Sequence, residues 1–267
     1  MATAWPDGAV NGGVTHSADR PGSAQGPPPV HRDGPVRWVF SERHGGLSAA
    51  PYDSLNLGGH VGDDPVAVAA NRARLAARLE LAPTQVHYMR QVHGDRVWVV
   101  GESWSQDPGG GVDAQVTRLP GVALAVLVAD CVPVLLADPV AGVVGAAHAG
   151  RPGVRAAVAL RALEAMQQLG AEPGRTRAWL GPAVCPACYE VPEQMRADVS
   201  DAVPATWSTS ASGTPALDLR AGLVSVLSGL GVTVQVVGPC TAESADHFSY
   251  RRDRTTGRFA GVVWIDR

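Results

Sequence analysis

Two side chains that can bind a metal flank a pair of apolar segments joined by a short turn. Cys131 precedes the apolar run 132–137, and His148 follows the run 143–147. The intervening residues 138–141 predict a hairpin turn. A four-residue turn there places Cys131 directly opposite His148, with Cβ atoms about 4.5–5.5 Å apart, whereas a five-residue turn shifts the register by one. This spacing indicates that a thiol and an imidazole share one ion.

His93 is the best candidate for a third ligand. It follows a predicted strand in Gln91-Val92-His93-Gly94, where the glycine lets the backbone pass close to a ligand. A thiolate with two imidazoles favours zinc, with copper as the alternative, over magnesium or calcium. Three protein ligands leave one position of a zinc ion for water or substrate, as in catalytic sites. The opposite interpretation, in which Cys131 belongs to the core and His148 is a turn residue, stays open at this point.

A separate Cys-x-x-Cys pair, Cys185 and Cys188, is either a redox pair or half of a zinc site. Because the chain contains no second Cys-x-x-Cys, we expect these thiols to be reduced and structural. Four cysteines are too few for a disulfide scaffold in a chain of 267 residues.

The overall composition excludes several classes of function. A formal net charge of -3 and a pI near 6.2 argue against nucleic acid as a partner. All 22 basic residues are arginine, which excludes a Schiff-base lysine and a Walker-type phosphate loop. Asp130 and Asp138 interrupt the apolar runs, so none predicts a membrane span. Residues 1–35 lack the layout of a signal peptide, and we expect a cytoplasmic protein.

The periodicity of the chain predicts its organisation. Residues 1–35, rich in glycine and proline, predict a disordered tail, and residues 36–267 predict a single catalytic domain. The expected fold class is α/β (α+β), with a mixed β-sheet core flanked by helices. The segment 122–129 is apolar on both faces, which is typical of a central strand. Helices are predicted at 64–79, 154–169, 192–202 and 217–230, and further strands at 37–40, 86–89, 97–101, 132–137, 143–147, 233–237 and 259–265.

A series of short motifs runs through most of the chain: Arg43–Ser48, Pro51–Gly58, His60–Pro65, Gln91–Gly94, Ala129–Leu135, Ala147–Gly150, Gly181–Val184, Tyr189–Val191 and Phe248–Asp253. With these motifs, residues 37–267 resemble the YfiH-type proteins. That family was once called multicopper polyphenol oxidoreductases or laccase-domain proteins. Its members are now described as purine nucleoside phosphorylases with adenosine deaminase activity. The chain departs from the family at Arg151-Pro152-Gly153, where Trp-Arg-Gly is common, and at Cys185-Pro186-Ala187-Cys188, where many members have Gly-Pro-Cys-Cys.

The resemblance implies a function and a ligand set. The family's zinc ligands fall on His93, Cys131 and His148. The implied reactions are phosphorolysis of adenosine, inosine, guanosine or methylthioadenosine, and hydrolytic deamination of adenosine. The implied partners are therefore small-molecule purine nucleosides and phosphate, and the sequence leaves the oligomeric state open.

Substrate contacts are predicted at polar positions of the motifs. Without lysine, phosphate must be bound by arginines and backbone amides, and we expect Arg43, with Arg251 or Arg252, to contribute. Asn56 and Gln91 are candidates to hydrogen-bond the base or ribose. The alternative for both is that their side chains stabilise the loops.

Other functions compete with this prediction. Cys131 activated by His148 would also suit a cysteine-nucleophile amide hydrolase that edits peptidoglycan precursors, and a protein that only binds a partner is a third possibility. Laccase chemistry is disfavoured because the eight histidines form no His-x-His pair, and Met89, the only methionine near a ligand, is poorly spaced for blue copper.

Overall fold

Two mixed β-sheets form the centre of the protein, whose computed structural model describes residues 29–101 and 110–266. The strands are β1 (His31–Asp33), β2 (Val36–Phe40), β3 (Val86–Tyr88), β4 (Val97–Val99), β5 (Ala114–Thr117), β6 (Ala123–Val128), β7 (Val132–Asp138), β8 (Val143–Ala149), β9 (Arg177–Leu180), β10 (Trp207–Thr209), β11 (Pro215–Leu217), β12 (Thr233–Val236) and β13 (Phe259–Ile265). The helices are α1 (Pro65–Arg78), α2 (Arg151–Arg155), α3 (Val158–Gln168), α4 (Glu193–Ala202), α5 (Leu219–Gly229) and α6 (Tyr250–Asp253).

The strands divide between a five-stranded sheet, ordered β1-β2-β13-β6-β3, and a six-stranded sheet, ordered β12-β9-β7-β8-β5-β4. Strands β10 and β11 form a separate hairpin. Each large sheet combines parallel and antiparallel pairs. The expected fold class, a single domain with a mixed-sheet core flanked by helices, is confirmed, and the core contains two sheets.

The two large sheets pack face to face with helices outside them. One apolar cluster lies between the sheets, where Leu124 and Val126 of β6 meet Leu135 and Ala137 of β7. A second joins the six-stranded sheet to α3, α4 and α5, and a third joins the five-stranded sheet to α1. Every residue of β6 is buried, as its two apolar faces predict. These layers position the start of β7 and the end of β8, where Cys131 and His148 lie.

The β7–β8 hairpin has a different register from the predicted one. Pro133, not Cys131, pairs with His148, and Asp138 pairs with Val143. Asp138 stays in the strand because its carboxylate accepts the backbone N–H groups of Val140 and Ala141, each at 3.0 Å. The four-residue turn therefore moves by one residue, to 139–142, and the pairing of the two strands shifts by two. Because side chains alternate with a period of two, a shift of two keeps Cys131 and His148 on the same face, as diagonal neighbours.

The predicted boundaries need two other corrections. Strand β1 lies inside the segment predicted as a tail, and ordered structure begins earlier because β1 pairs with β2. Residues 1–28 of that segment lie outside the described residues. The helix predicted over 154–169 is split into α2 and α3 at Ala157, whose φ of 63° is incompatible with a continuous helix. Helix α1 is confirmed, with Asp64 capping it through the N–H of Val66.

No helix among the described residues is long and apolar enough to cross a bilayer.

Candidate metal centre

A buried carboxylate fixes the orientation of His148. Asp113, which directly precedes β5, is fully buried, and its Oδ1 lies 2.8 Å from Nδ1 of His148. Burial alone would raise the pKa of Asp113, but the bond to His148 and backbone N–H donors bring it below the ordinary value. An ionised carboxylate can only accept, so the hydrogen must sit on Nδ1 of His148. The other ring nitrogen, Nε2, is thereby left to face an ion.

The same carboxylate shapes the loop that carries His93. Its oxygens accept the backbone N–H groups of Val92, His93 and Gly94, the last two at 2.8 and 2.7 Å. His93 adopts a φ of 62°, a left-handed conformation that is unusual for a residue with a side chain. Three N–H donors converging on one buried acceptor stabilise this conformation. Asp113 therefore positions both histidines, although no motif in the sequence indicated this role.

Cys131 follows a second unusual backbone position. Asp130 has a φ of 90°, and its carboxylate accepts the hydroxyl of Thr241 at 2.7 Å and the N–H of Arg251 at 2.5 Å. Asp130 thus fixes the backbone just before β7. Neither of these two bonds involves a ligand of the triad. Sγ of Cys131 lies 3.8 Å from Nε2 of His93.

The three predicted ligands come together. One donor atom from each of His93, Cys131 and His148 lies within 4.8 Å of the others. A tetrahedral zinc ion with bonds of about 2.3 Å to sulfur and 2.0–2.1 Å to nitrogen separates such atoms by roughly 3.6 Å. The observed Cys131–His93 distance of 3.8 Å is close to that separation. The donor set and its spacing therefore fit a single metal ion of the zinc class.

The pKa values of the Cys131 thiol and the His148 imidazole shift in opposite directions. Burial raises the pKa of the Cys131 thiol, but His148 and His93 outweigh burial and lower it to about 6. Burial lowers the pKa of His148, but the Cys131 charge and Asp113 raise it to about 9. At neutral pH the metal-free protein therefore holds a thiolate beside an imidazolium. The thiolate is the form that binds metal and the form that attacks as a nucleophile.

Several polar residues share the electrostatic environment of the triad. Burial lowers the pKa of His60, and Arg258, Arg72, His148 and His93 lower it further. Burial also lowers the pKa of Arg258, whereas the Cys131 charge opposes this change. Arg258 was not predicted from the sequence, and its position depends on contacts that no local motif encodes.

Arg43 and Asn56, two of the predicted substrate contacts, both make contacts with other residues of the protein. Nε of Arg43 donates to the carbonyl of Asp53 at 2.8 Å, and its guanidinium lies 4.7 Å from the ring centroid of Phe248. Asn56 is fully buried, donates to the Asp63 carboxylate at 2.8 Å and accepts the N–H of Arg258 at 2.8 Å. These contacts favour the loop-stabilising interpretation for Asn56.

The other two predicted contacts are Gln91, in the loop that carries His93, and Arg251, in α6. The amide of Gln91 donates to the carbonyl of Leu127 at 2.7 Å and accepts its N–H at 2.8 Å, which anchors the His93 loop to β6. Arg251 donates to the carbonyl of Glu190 at 3.1 Å, and its guanidinium lies 5.1 Å from the ring centroid of Tyr189.

A cavity of about 390 Å³ on another part of the protein is lined neither by the triad nor by the four predicted contacts.

The family model described as multi-copper polyphenol oxidoreductase laccase matches residues 37–266. The chain belongs to this family. Its resemblance to the YfiH-type proteins is therefore confirmed. The solved structures agree with this membership. The Neisseria meningitidis protein NMB0706 is 34% identical with a TM-score of 0.80, and the match covers 90% of this chain and 98% of that one. YlmD from Geobacillus stearothermophilus is 34% identical with a TM-score of 0.79, and the match covers 87% and 93%.

Curated relatives of this YfiH-type protein carry an enzyme name. A Streptomyces griseus protein named purine nucleoside phosphorylase ORF3 is 60% identical over 242 residues, which are 88% of this chain and 98% of that protein. A Corynebacterium glutamicum protein, also named purine nucleoside phosphorylase, is 50% identical over 242 residues, which are 88% and 97% of the two chains.

A substitution at Gly150 tests the metal centre without replacing any of the three ligand residues. A Cβ added to it would lie 2.9 Å from Sγ of Cys131 and 2.8 Å from Cδ2 of His93. We expect Gly150→Ala to push these ligands apart and to weaken zinc binding about 10- to 100-fold, as loss of a supporting contact does. Chelator competition measures the affinity. Gly174→Ala, whose Cβ would meet nothing within 4 Å, is the control and should bind zinc normally. Equal affinities in the two variants would contradict the placement of an ion between Cys131 and His93.

The paired pKa shifts predict the reactivity of Cys131. In chelator-treated protein, alkylation of Cys131 by iodoacetamide, followed by peptide mass spectrometry, should rise with an inflection near pH 6. Replacing His148 with asparagine removes the main partner charge, and the inflection should move toward the ordinary thiol value of 9.0. An inflection near 9.0 in the unmodified protein would refute the thiolate–imidazolium pair.

The pH dependence of the free energy of unfolding reports on the same pair less clearly. The thiolate stabilises the fold fully above pH 9.0, and this contribution is lost as pH falls to about 6. The imidazolium stabilises it fully below pH 6.5, and this contribution is lost as pH rises to about 9. Because one group gains the proton that the other loses, the two dependences largely cancel.

Proposed function

We propose that this protein is a zinc-dependent purine nucleoside phosphorylase that acts on adenosine, inosine, guanosine and methylthioadenosine and also deaminates adenosine. The observation that carries the proposal is the convergence of His93, Cys131 and His148, with His148 oriented by the buried Asp113. The names of relatives that align over nearly their whole length support the reaction class.

The chain's own residues prepare the site for this chemistry. Asp113 keeps a hydrogen on Nδ1 of His148, and the two histidines keep Cys131 as a thiolate at neutral pH. A zinc ion held by these three side chains would supply Lewis-acid chemistry, which suits the activation of water for deamination. Thiolate with two imidazoles suits zinc better than magnesium or calcium, and copper is the alternative ion.

Phosphorolysis also requires an anion site. A phosphate oxygen bonds to C1′ of the ribose as the bond from C1′ to the purine nitrogen breaks, and the purine leaves with that electron pair and takes up a proton. In a chain without lysine, arginine must bind the phosphate. We propose Arg258, which is close enough to Cys131 for the thiolate to act on its pKa, together with Arg251, which contacts Tyr189. Arg43 is the alternative from the sequence. Its guanidinium is engaged with Asp53, as those of Arg258 and Arg251 are with backbone carbonyls.

The phosphate role of Arg258 can be tested selectively. We expect Arg258→Gln to raise the KM for phosphate about 10- to 100-fold, because a charge-assisted hydrogen bond contributes about 1.5–3 kcal/mol. Adenosine deamination, which uses no phosphate, is the internal control and should change much less. Arg43→Gln is the comparison variant. If only Arg43→Gln raises the KM for phosphate, the role belongs to Arg43.

The proposed function is tested by metal analysis beside turnover. Purified protein is incubated with adenosine in phosphate and in phosphate-free buffer, and the products are separated by chromatography. The proposal requires adenine and ribose 1-phosphate only with phosphate, inosine in both buffers, and loss of all products after chelation with recovery on zinc. Phosphate-independent release of adenine, or turnover that survives removal of the metal, would refute it.

A cysteine-nucleophile amide hydrolase that edits peptidoglycan precursors is the second candidate. The observation in its favour is the Cys131 thiol pKa of about 6, which supplies a nucleophile at neutral pH. Such an enzyme would keep its activity after chelation and lose it on alkylation of Cys131. Laccase chemistry has less support, because only one group of potential ligands among the described residues contains histidine. Location in the cytoplasm stays a prediction.

A further inference from the structure

A second group of potential metal ligands lies outside the triad. Cys185, Cys188, Cys240 and Glu243 each contribute one donor atom, and these atoms all lie within 4.8 Å of one another. Cys240 is buried, Cys185 and Cys188 are half-buried, and Glu243 is exposed. The group consists of two similar halves, Cys-x-x-Cys and Cys-x-x-Glu, which are far apart in the sequence.

Each half is a tight turn that brings its two donors to one side. In the first, the N–H of Cys188 donates to the carbonyl of Cys185 at 3.1 Å. In the second, the N–H of Glu243 donates to the carbonyl of Cys240 at 3.3 Å. Turns of this kind present the side chains at their first and fourth positions to one point, which is why Cys-x-x-Cys spacing recurs in zinc sites.

Backbone contacts join the two turns. Ala183 and Cys240 form a parallel bridge, and the N–H of Thr241 donates to the carbonyl of Ala183 at 3.1 Å. The N–H of Cys185 donates to Sγ of Cys240 at 3.3 Å, a bond of the kind that supports a sulfur ligand. Sγ of Cys188 lies 3.5 Å from Oε1 of Glu243. The four donors are therefore brought together by the fold before any ion binds.

We propose that Cys185, Cys188, Cys240 and Glu243 bind a second, structural zinc ion. Three sulfurs and one carboxylate oxygen complete a tetrahedral set, and a site with four protein ligands leaves no position for substrate. Zinc bonds of about 2.3 Å to sulfur place neighbouring sulfurs roughly 3.8 Å apart, so the 4.8 Å limit needs only a small contraction. The sequence predicts unliganded structural thiols because it contains no second Cys-x-x-Cys, whereas the second half of this site ends in glutamate.

Zinc explains the composition of this group better than a disulfide does. A disulfide uses two sulfurs and leaves a third cysteine and a carboxylate without a role. A divalent cation held by all four atoms gives every donor a partner.

The two turns also meet beside the triad. The N–H of Val184 donates to the carbonyl of Asp130 at 3.0 Å, and the hydroxyl of Thr241 donates to the Asp130 carboxylate at 2.7 Å. Asp130 directly precedes Cys131. An ion that joins the turns would therefore hold both of these contacts in place, which is the role of a structural metal.

Zinc stoichiometry of the full-length protein tests the proposal. We expect the unmodified protein to bind two zinc ions per chain by elemental analysis and native mass spectrometry. Cys188→Ser and Glu243→Ala should each lower this to one, and Cys131→Ser should also lower it to one by removing the triad ion. These reciprocal variants separate failure of the second site from failure of the proposed function. A single zinc in unmodified protein that Cys131→Ser removes, with no change in Cys188→Ser, would overturn the second site.

Cobalt replacement keeps the test decisive if a variant of the second site does not fold. In Cys131→Ser protein every remaining cysteine, Cys185, Cys188 and Cys240, belongs to the second site. Cobalt bound there should therefore give a strong thiolate-to-cobalt charge-transfer band, near three times that of a one-thiolate site. No such band with cobalt in excess, or a disulfide between two of the three cysteines in protein purified under reducing conditions, would overturn the proposal.

Discussion

Replacement of Cys131 by serine should remove one zinc ion per chain and lower phosphorolysis and deamination of adenosine together. The expected loss in kcat/KM exceeds the roughly 100-fold that loss of an outer hydrogen-bond partner of a metal site costs, since a ligand itself is lost. Sγ of Cys131 is the only sulfur in the triad, and the remaining imidazoles of His93 and His148 leave too few ligands for a catalytic zinc site. Steady-state kinetics and metal analysis on the same preparation check the result.

Cys131→His separates the metal role of Cys131 from a nucleophilic role. Three imidazoles are an established catalytic zinc set, so this variant should bind zinc and keep more activity than Cys131→Ser. An enzyme that uses the thiolate as a nucleophile would lose activity equally in both variants. Equal inactivity with zinc still bound in Cys131→His would favour the hydrolase and count against the zinc mechanism.

Replacement of Asp113 by alanine should produce the largest loss of stability of any single change in the site. Asp113 is fully buried and accepts bonds from His148 Nδ1 and from three backbone N–H groups around His93. Removing it leaves a buried imidazolium and these donors without their acceptor. Breaking a buried pair in this way costs about 3–5 kcal/mol of the free energy of unfolding. Urea denaturation of chelator-treated protein measures the change.

The chain supplies a matched control for this variant. His44 and Asp246 form the same kind of pair at 2.9 Å, but both side chains are more than half exposed. Asp246→Ala should cost no more than about 1 kcal/mol, as exposed pairs do. Asp113→Ala should also weaken zinc binding at least 10- to 100-fold, the usual effect of losing the partner of a histidine ligand. Similar stability losses in the two variants would show that Asp113 does not organise the site.

Much of the local structure follows from patterns of a few residues. Asp64 and Pro65 predict the start of α1 because a carboxylate can cap the first N–H groups and proline needs no donor there. The uninterrupted apolar run of β6 predicts a strand buried on both faces. Strands β1, β5, β9, β10 and β11 were not predicted, because each has only three or four residues and gives no clear periodicity.

The sequence by itself determined the types of the triad ligands and the loops that carry them, because residue chemistry and turn signals are local. Only the tertiary structure decided how His93, Cys131 and His148 approach one another, since the hairpin register shifted by two residues and the third ligand comes from another loop. It also revealed Asp113 and the pairing of Cys185 and Cys188 with Cys240 and Glu243. Such contacts join residues distant in the chain, and they depend on how the sheets assemble.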